Sequence, residues 1–377
     1  MAGSSPAITH MDRLIATYLV ASEPAEIDAR AAAIAVEQSV EMPLSAIADP
    51  VVRENIVGRV ESVVPVEEGL FAVRIALAVA TTGHEIGQLL NMLFGNSSIQ
   101  ENVQLTDAEL PSSLLNSFPG PRFGIEGLRR LTGAFGRPLT ASALKPQGSP
   151  VAELARLCGI FAQAGIDLIK DDHGLADQAF SPFAQRVVAC QKAVAVANRE
   201  TGGKSVYIPS LSGGPRDLLR QAHIIHEEGV GMAMLAPMLQ GLAVVKEMIE
   251  DHLKVPVLAH PAMAGVSRIA PPLLIGKLFR LVGADAVVFP NYGGRFGYTA
   301  ETCQVLAHAA RGSWGGLKPS LPVPAGGMSV ERVSEMIEVY GQDSVLLIGG
   351  GLLSAGEALY ERSRAFVEEV AKAGKNE

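Results

Sequence analysis

Cysteine is scarce, with only Cys158, Cys190 and Cys303 in 377 residues. They are odd in number, far apart, and in neither CxxC nor His-paired spacing, which argues against a disulfide-stapled scaffold and a zinc site. They read as buried, reduced thiols of a cytoplasmic protein. Long apolar runs are missing as well: no uninterrupted stretch reaches the ~18 residues a membrane-spanning helix needs. The N-terminus has no basic segment leading into an apolar one, so a soluble protein is expected. Nor is there an excess of positive charge, since 31 Lys and Arg face 39 Asp and Glu for a formal net charge of -8. The cations are scattered and form no basic stripe for a phosphate backbone, so nucleic acid is not an expected partner.

What is present describes a compact, loop-rich globular protein: 48% hydrophobic residues, 19% charged residues and 39 glycines. The length exceeds one ordinary core and suits a barrel of about 250 residues with a smaller domain beside it. The opening segment from Met1 to His10 has the character of an expression leader, so Met11 is the expected natural start.

From Leu139 onward, short β-branched or apolar runs alternate with longer helical patterns, as repeated βα units around a parallel sheet require. Strands are expected at 139–144, 167–169, 205–208, 231–235, 255–259, 284–289, 321–324 and 344–348. An open doubly wound sheet typically has about five or six strands, whereas eight close a (β/α)8 TIM barrel. Gly213-Gly214, Gly293-Gly294, Gly326-Gly327 and Gly349-Gly350-Gly351 lie just past strands, on the face where barrel enzymes bind substrates. The chain before Pro121 has another rhythm, with strands near 14–20, 57–79 and 103–109 and helices near 25–36 and 85–93. It suits a small α+β, ferredoxin-like domain. The expected division is 11–120 for that domain and 121–377 for the barrel, with the Pro-, Ser- and Gly-rich segment 111–121 as linker.

The most informative motif is Lys170-Asp171-Asp172-His173, at the end of the second barrel strand. It is expected to bring a cation, two carboxylates and an imidazole to the catalytic face, with strand alternation sending Lys170 and Asp172 to the same side. Such a cluster can bind a divalent ion, and a lysine between apolar walls can lose its proton readily enough to act as a base. The competing reading is a solvated strand-end charge cluster. Lys145-Pro146 ends the first strand, and the proline restricts the lysine's backbone so that its side chain is aimed. The plainer alternative is a rim lysine snorkelling into solvent.

Together with Ala259-His260-Pro261-Ala262-Met263 after strand five, Gly294-Arg295 after strand six, Ala325-Gly326-Gly327 after strand seven and the Gly349 run after strand eight, these motifs resemble the RuBisCO superfamily. The resemblance spans the chain, and the set is specific because its order follows the strands. It implies that Lys145, Lys170 and His260 are catalytic. It implies a phosphate site at Gly326, Gly327, Gly349 and Gly350 with Arg295 closing on an anion, and substrate contacts from Glu37 and Asn96 in the N-terminal domain. It also implies a homodimer in which that domain completes a partner's site. A divalent metal, magnesium by family habit, is implied on Lys170 if carbamylated, Asp172 and His173.

The departures narrow the chemistry. His173 stands where the carboxylases carry a metal-binding Glu, and imidazole suits magnesium poorly. Gln147 replaces a second lysine, Arg295 the mobile loop lysine, Val288 a phosphate-contacting histidine, Ala325 a substrate-binding serine, and Pro261 and Ala264 an Arg and a His. Carbon dioxide fixation is therefore not expected, and an enolising core with one phosphate site remains, as in RuBisCO-like proteins (form IV). The leading expectation is 5-methylthioribulose-1-phosphate isomerase, a proton-transfer enzyme of methionine salvage. The alternatives are 2,3-diketo-5-methylthiopentyl-1-phosphate enolase, a decarboxylase or C–C hydrolase of a 3-oxo acid sugar phosphate (apionate-type pathway), or a ligand-sensing barrel without chemistry.

Overall fold

The computed structural model describes residues 12–374, so the expected leader and start at Met11 lie outside the described residues. The chain divides into two compact units, one comprising residues up to 118 with 265–274, the other 119–264 with the remainder from 275.

The first unit is built on an antiparallel sheet of β1 (Arg13–Ala21), β2 (Arg59–Glu67), β3 (Leu70–Ala78) and β4 (Val103–Glu109), in the order β2-β3-β1-β4. Strand β1 shows why: Leu14, Ala16, Tyr18 and Val20 are fully buried, and the residues between them are not. Helix Ile86–Phe94 starts where the Glu85 carboxylate accepts the N–H groups of Gly87 and Gln88, both at 2.8 Å. Two features depart from expectation. The segment 111–121 is no loose linker: Ser112–Leu115 is helical, and Leu114, Leu115 and Phe118 are buried. Residues 265–274, sequentially within the barrel, pair instead with β4, where Leu105 bonds to Arg268 and Ala270 at 2.9 Å each.

The second unit is a parallel barrel of β5 (Leu139–Leu144), β6 (Leu168–Asp171), β7 (Val206–Ile208), β8 (Ala233–Leu235), β9 (Val257–Ala259), β10 (Ala286–Pro290), β11 (Leu321–Ala325) and β12 (Val345–Leu347). The ladder runs β7-β6-β5-β12-β11-β10-β9-β8, and a bridge between Ser210 and Met234 joins its two ends. Helices follow the strands, including Val151–Gln163, Phe183–Thr201, Pro215–Glu227, Ala300–Arg311, Val333–Tyr340 and Leu359–Ala373.

The interior is filled by Leu139 and Ala141, Leu168, Val206 and Ile208, Met232 and Met234, Leu258, Ala286 and Val288, Leu321 and Val323, Val345 and Leu347. These residues keep to every second position, as side chains pointing into a barrel must. Below them, at the N-terminal end of β6, Asp167 accepts both Arg137 Nη1 and Nη2 at 2.7 and 2.8 Å, a fork that belongs to stability rather than chemistry.

Candidate active site

Continuing the interior alternation one step beyond this apolar filling predicts which residues crown the barrel. After Ala141 and Ala143 comes Lys145; after Leu168 come Lys170 and Asp172; after Leu258, His260; after Val323, Ala325; after Leu347, Gly349. The site is thus the polar continuation of an apolar core, and that position explains its electrostatics.

Lys145 reaches across from β5 and places Nζ 2.6 Å from Asp172 Oδ1. Lys170 is 4% exposed and donates from Nζ to the Asp171 carbonyl at 2.7 Å. Burial pushes its amine down to about 8, against the attraction of Asp172 and with the help of Lys145. For Asp172, burial opposes ionisation, but hydrogen bonds from His173 and Lys145 and the charge of Lys170 outweigh it. They hold the carboxyl well below the usual carboxylate range. His173 Nδ1 lies 3.4 Å from the same Oδ1, and its ring stacks on His260 with centroids 4.3 Å apart. His260 Nδ1 accepts the Ala262 N–H at 3.1 Å, which leaves Nε2 to carry the ring proton. Burial, reinforced by Lys170 and His173, pushes that imidazole down to about 2, so the ring is neutral.

One expectation needs correction. Asp171 is not at the catalytic face: alternation turns it outward, where it is fully buried and accepts Arg186 Nε at 3.0 Å, Tyr207 Oη at 2.8 Å and the Ser210 N–H at 3.1 Å. It anchors the strand that aims Lys170 and Asp172. Arg186, on the following helix, carried no local signal, since a lone arginine in an amphipathic helix reads as surface.

The glycine clusters are close neighbours. Gly326 and Gly327 have φ +83° and +67°, a conformation that disfavours side chains. A Cβ on Gly327 would sit 2.7 Å from Gly294 Cα, so the loops after β10 and β11 touch through bare backbone. A Cβ on Gly349 would lie 3.9 Å from Lys145 Cε, which places that glycine beside the lysine cluster, and Gly350 opens the short helical turn behind it. Arg295 is exposed, its guanidinium 4.8 Å over the Phe296 ring. Glu37 and Asn96 belong to the other unit and are joined there, Asn96 Nδ2 donating to Glu37 at 2.9 Å and to Glu41 at 3.0 Å.

Sequence reasoning missed Tyr292, Arg332 and Glu335 beside the Gly327 turn. Arg332 donates to the Gly327 carbonyl at 2.6 Å and forks onto Glu335 at 2.8 Å through both Nε and Nη2. Tyr292 Oη donates to Glu335 at 2.6 Å. In the sequence, Arg332 and Glu335 look like an ordinary helical surface pair.

Residues 124–358 match the model for the ribulose bisphosphate carboxylase large chain, catalytic domain. The chain belongs to the RuBisCO large-chain family. Within it, this RuBisCO-like chain is similar to a protein of Rhodospirillum rubrum named 5-methylthioribulose-1-phosphate isomerase, 54% identical over 96% of this chain and 97% of the other. The crystal structure of a RuBisCO-like protein from Rhodopseudomonas palustris superposes with a TM-score of 0.90 at 52% identity, covering 96% of this chain and 98% of that one. A protein of Geobacillus thermodenitrificans named 2,3-diketo-5-methylthiopentyl-1-phosphate enolase is more distant, 33% identical over 74% of this chain and 70% of its own length. The superfamily and the (β/α)8 barrel with an antiparallel N-terminal sheet are thus as the sequence motifs implied.

Among the described residues no group of three His, Cys, Asp or Glu is assembled to hold a metal. Asp172 and His173 alone supply two donors. A carbamate on Lys170 would add an anionic oxygen to these two, and the Lys170 amine, pushed down to about 8, gives up its proton for carbamylation more readily than an ordinary lysine. No helix among the described residues is long and apolar enough to cross a membrane.

Proposed function

We propose that this RuBisCO-like enzyme is a 5-methylthioribulose-1-phosphate isomerase, moving a proton between carbons of a phosphorylated keto-sugar through an enediolate. The observation that carries this reading is the pairing of a charged Lys145–Asp172 couple with a buried, weakly basic Lys170 on one barrel rim. A base with pKa near working pH can take a proton beside a ketone and return it to the neighbouring carbon, so that no atom is lost overall. The Lys145 ammonium and the His260 Nε2–H are the groups to meet the developing oxyanion. The 54% identity to the similarly named protein supports the choice of substrate.

The proposed substrate contacts are Gly326, Gly327, Gly349 and Gly350 for the phosphate, with Arg295 closing on it, and Glu37 and Asn96 from the N-terminal domain of a homodimeric, cytoplasmic enzyme. A divalent ion, when bound, would be held by carbamylated Lys170, Asp172 and His173 and would polarise the carbonyl; the imidazole favours a softer ion than magnesium. In that state Lys170 is a ligand, and the proton transfer would fall to Lys145 in its neutral form.

The test is incubation of the purified enzyme with 5-methylthioribulose 1-phosphate in deuterated water. An isomeric phosphorylated product with deuterium on carbon supports the proposal. Turnover only of the diketo phosphate would make it the enolase instead, and carbon dioxide release from a 3-oxo acid phosphate would make it a decarboxylase. Light scattering of the eluting protein reads the dimer.

A further inference from the structure

We propose that Tyr292, Arg332 and Glu335 form a positioning clamp that locks the loop after β10 to the Gly326-Gly327 turn after β11, so that the phosphate end of the substrate meets a preformed surface. The inference rests on the phosphate reading of that turn given above.

The turn has a structural problem to solve. Two successive residues with positive φ and no side chains have little of their own to hold them in place. Glycine loses the most conformational entropy on ordering, so an anion that had to organise this turn would bind correspondingly less tightly. The structure supplies the missing restraint from outside the turn. Arg332, in the helical turn Val330–Arg332, sends Nη1 to the Gly327 carbonyl at 2.6 Å. Its other two nitrogens fork onto Glu335 at 2.8 Å each, and its guanidinium lies 5.1 Å over the Tyr292 ring. Tyr292 closes the circuit by donating to Glu335 Oε1 at 2.6 Å.

Three features identify this as positioning. All three guanidinium nitrogens have protein partners, so the group is committed to the protein. The carbonyl it holds belongs to Gly327, whose backbone N–H is among the donors proposed for phosphate. The same clamp grips Tyr292, three residues before Arg295, while Gly294 packs directly on Gly327. Fixing Tyr292 and Gly327 together therefore fixes the spacing between the anion-closing loop and the phosphate turn. A shared restraint of this kind contributes to binding by lowering the ordering cost.

The test uses the full-length enzyme and inorganic phosphate as probe, with affinity read by calorimetry beside steady-state kinetics. Arg332→Met is expected to weaken phosphate binding and raise KM by about tenfold or more, with kcat lowered much less. Tyr292→Phe keeps the ring and removes one hydrogen bond, and should give a smaller loss in the same direction. It also decides the matter if Arg332→Met does not fold. Arg332→Lys cannot reproduce the fork and should recover little. Parent-like phosphate affinity in Tyr292→Phe and in folded Arg332→Met, or a loss confined to kcat, overturns the clamp, as does a parent that binds no phosphate. Phosphate binding that depends on the clamp in an enzyme inactive on the isomerase substrate would sink the substrate assignment and leave the clamp standing.

Discussion

Lys145 and Asp172, 27 positions apart in sequence, meet at 2.6 Å where the adjacent parallel strands β5 and β6 end. The carboxylate holds the lysine side chain pointing inward, and the lysine helps keep the carboxylate ionised. Replacing Lys145 with Met breaks this mutual support. Turnover should fall by roughly 10²–10⁴, and the Asp172 carboxyl resonance in a ¹³C NMR titration should move up toward the ordinary carboxylate range. A variant with parent-like turnover would show that Lys145 is only a rim residue.

Lys170 offers a test through pH. Its folded amine titrates at about 8, below the ordinary 10.5, so between these values the unfolded chain binds more protons than the folded one. Stability therefore rises with pH across that window, and the full penalty of burying a charge is present below about 8. In metal-free, carbon dioxide-free buffer, Lys170→Met should be more stable than the parent at pH 7, by up to about 3 kcal/mol. The gap should close toward pH 10.5 in urea melts. The same variant should lose solvent-deuterium exchange into substrate, and undiminished exchange would remove this lysine from the mechanism.

The two glycines of the turn after β11, proposed to hold the phosphate, should respond differently. Gly326→Ala meets nothing within 4 Å and carries only the positive-φ penalty, about 1 kcal/mol. Gly327→Ala adds a clash with Gly294 backbone at 2.7 Å, which should cost roughly 1–3 kcal/mol more and weaken phosphate binding. Thermal melts and phosphate titration of the pair check the contrast, and equal effects would contradict the close packing of the loops.

Behind the site, Arg186 and Asp171 are both fully buried and paired at 3.0 Å. Arg186→Met leaves a buried carboxylate without its cation and should cost roughly 3–5 kcal/mol. Adding Asp171→Asn should recover part of the loss, giving a non-additive double-mutant cycle. Additive effects in denaturant melts would show that the pair is not coupled.

Much of this molecule is legible in its sequence. Eight βα repeats are a local periodic signal, and the expected strands at 139–144 and 321–324 match β5 and β11 to within a residue. The rim placement of the candidate residues Lys145, Lys170, Asp172 and His260 follows from the same signal, because alternation that faces Leu168 inward must face Lys170 and Asp172 inward too.

Tertiary structure alone decided the partners. Nothing in the spacing of Lys170-Asp171-Asp172 announces that Asp171 will be claimed by Arg186 and Tyr207 from the next helix and strand. Nor does it show that residues 265–274 leave the barrel's rhythm to pair with β4, or that a helical arginine will hold the Gly327 turn. Periodicity is carried by neighbours along the chain and can be read from one sequence. A hydrogen bond across 15, 36 or 163 positions depends on where the folded backbone brings its two ends, and only the packed structure determines that.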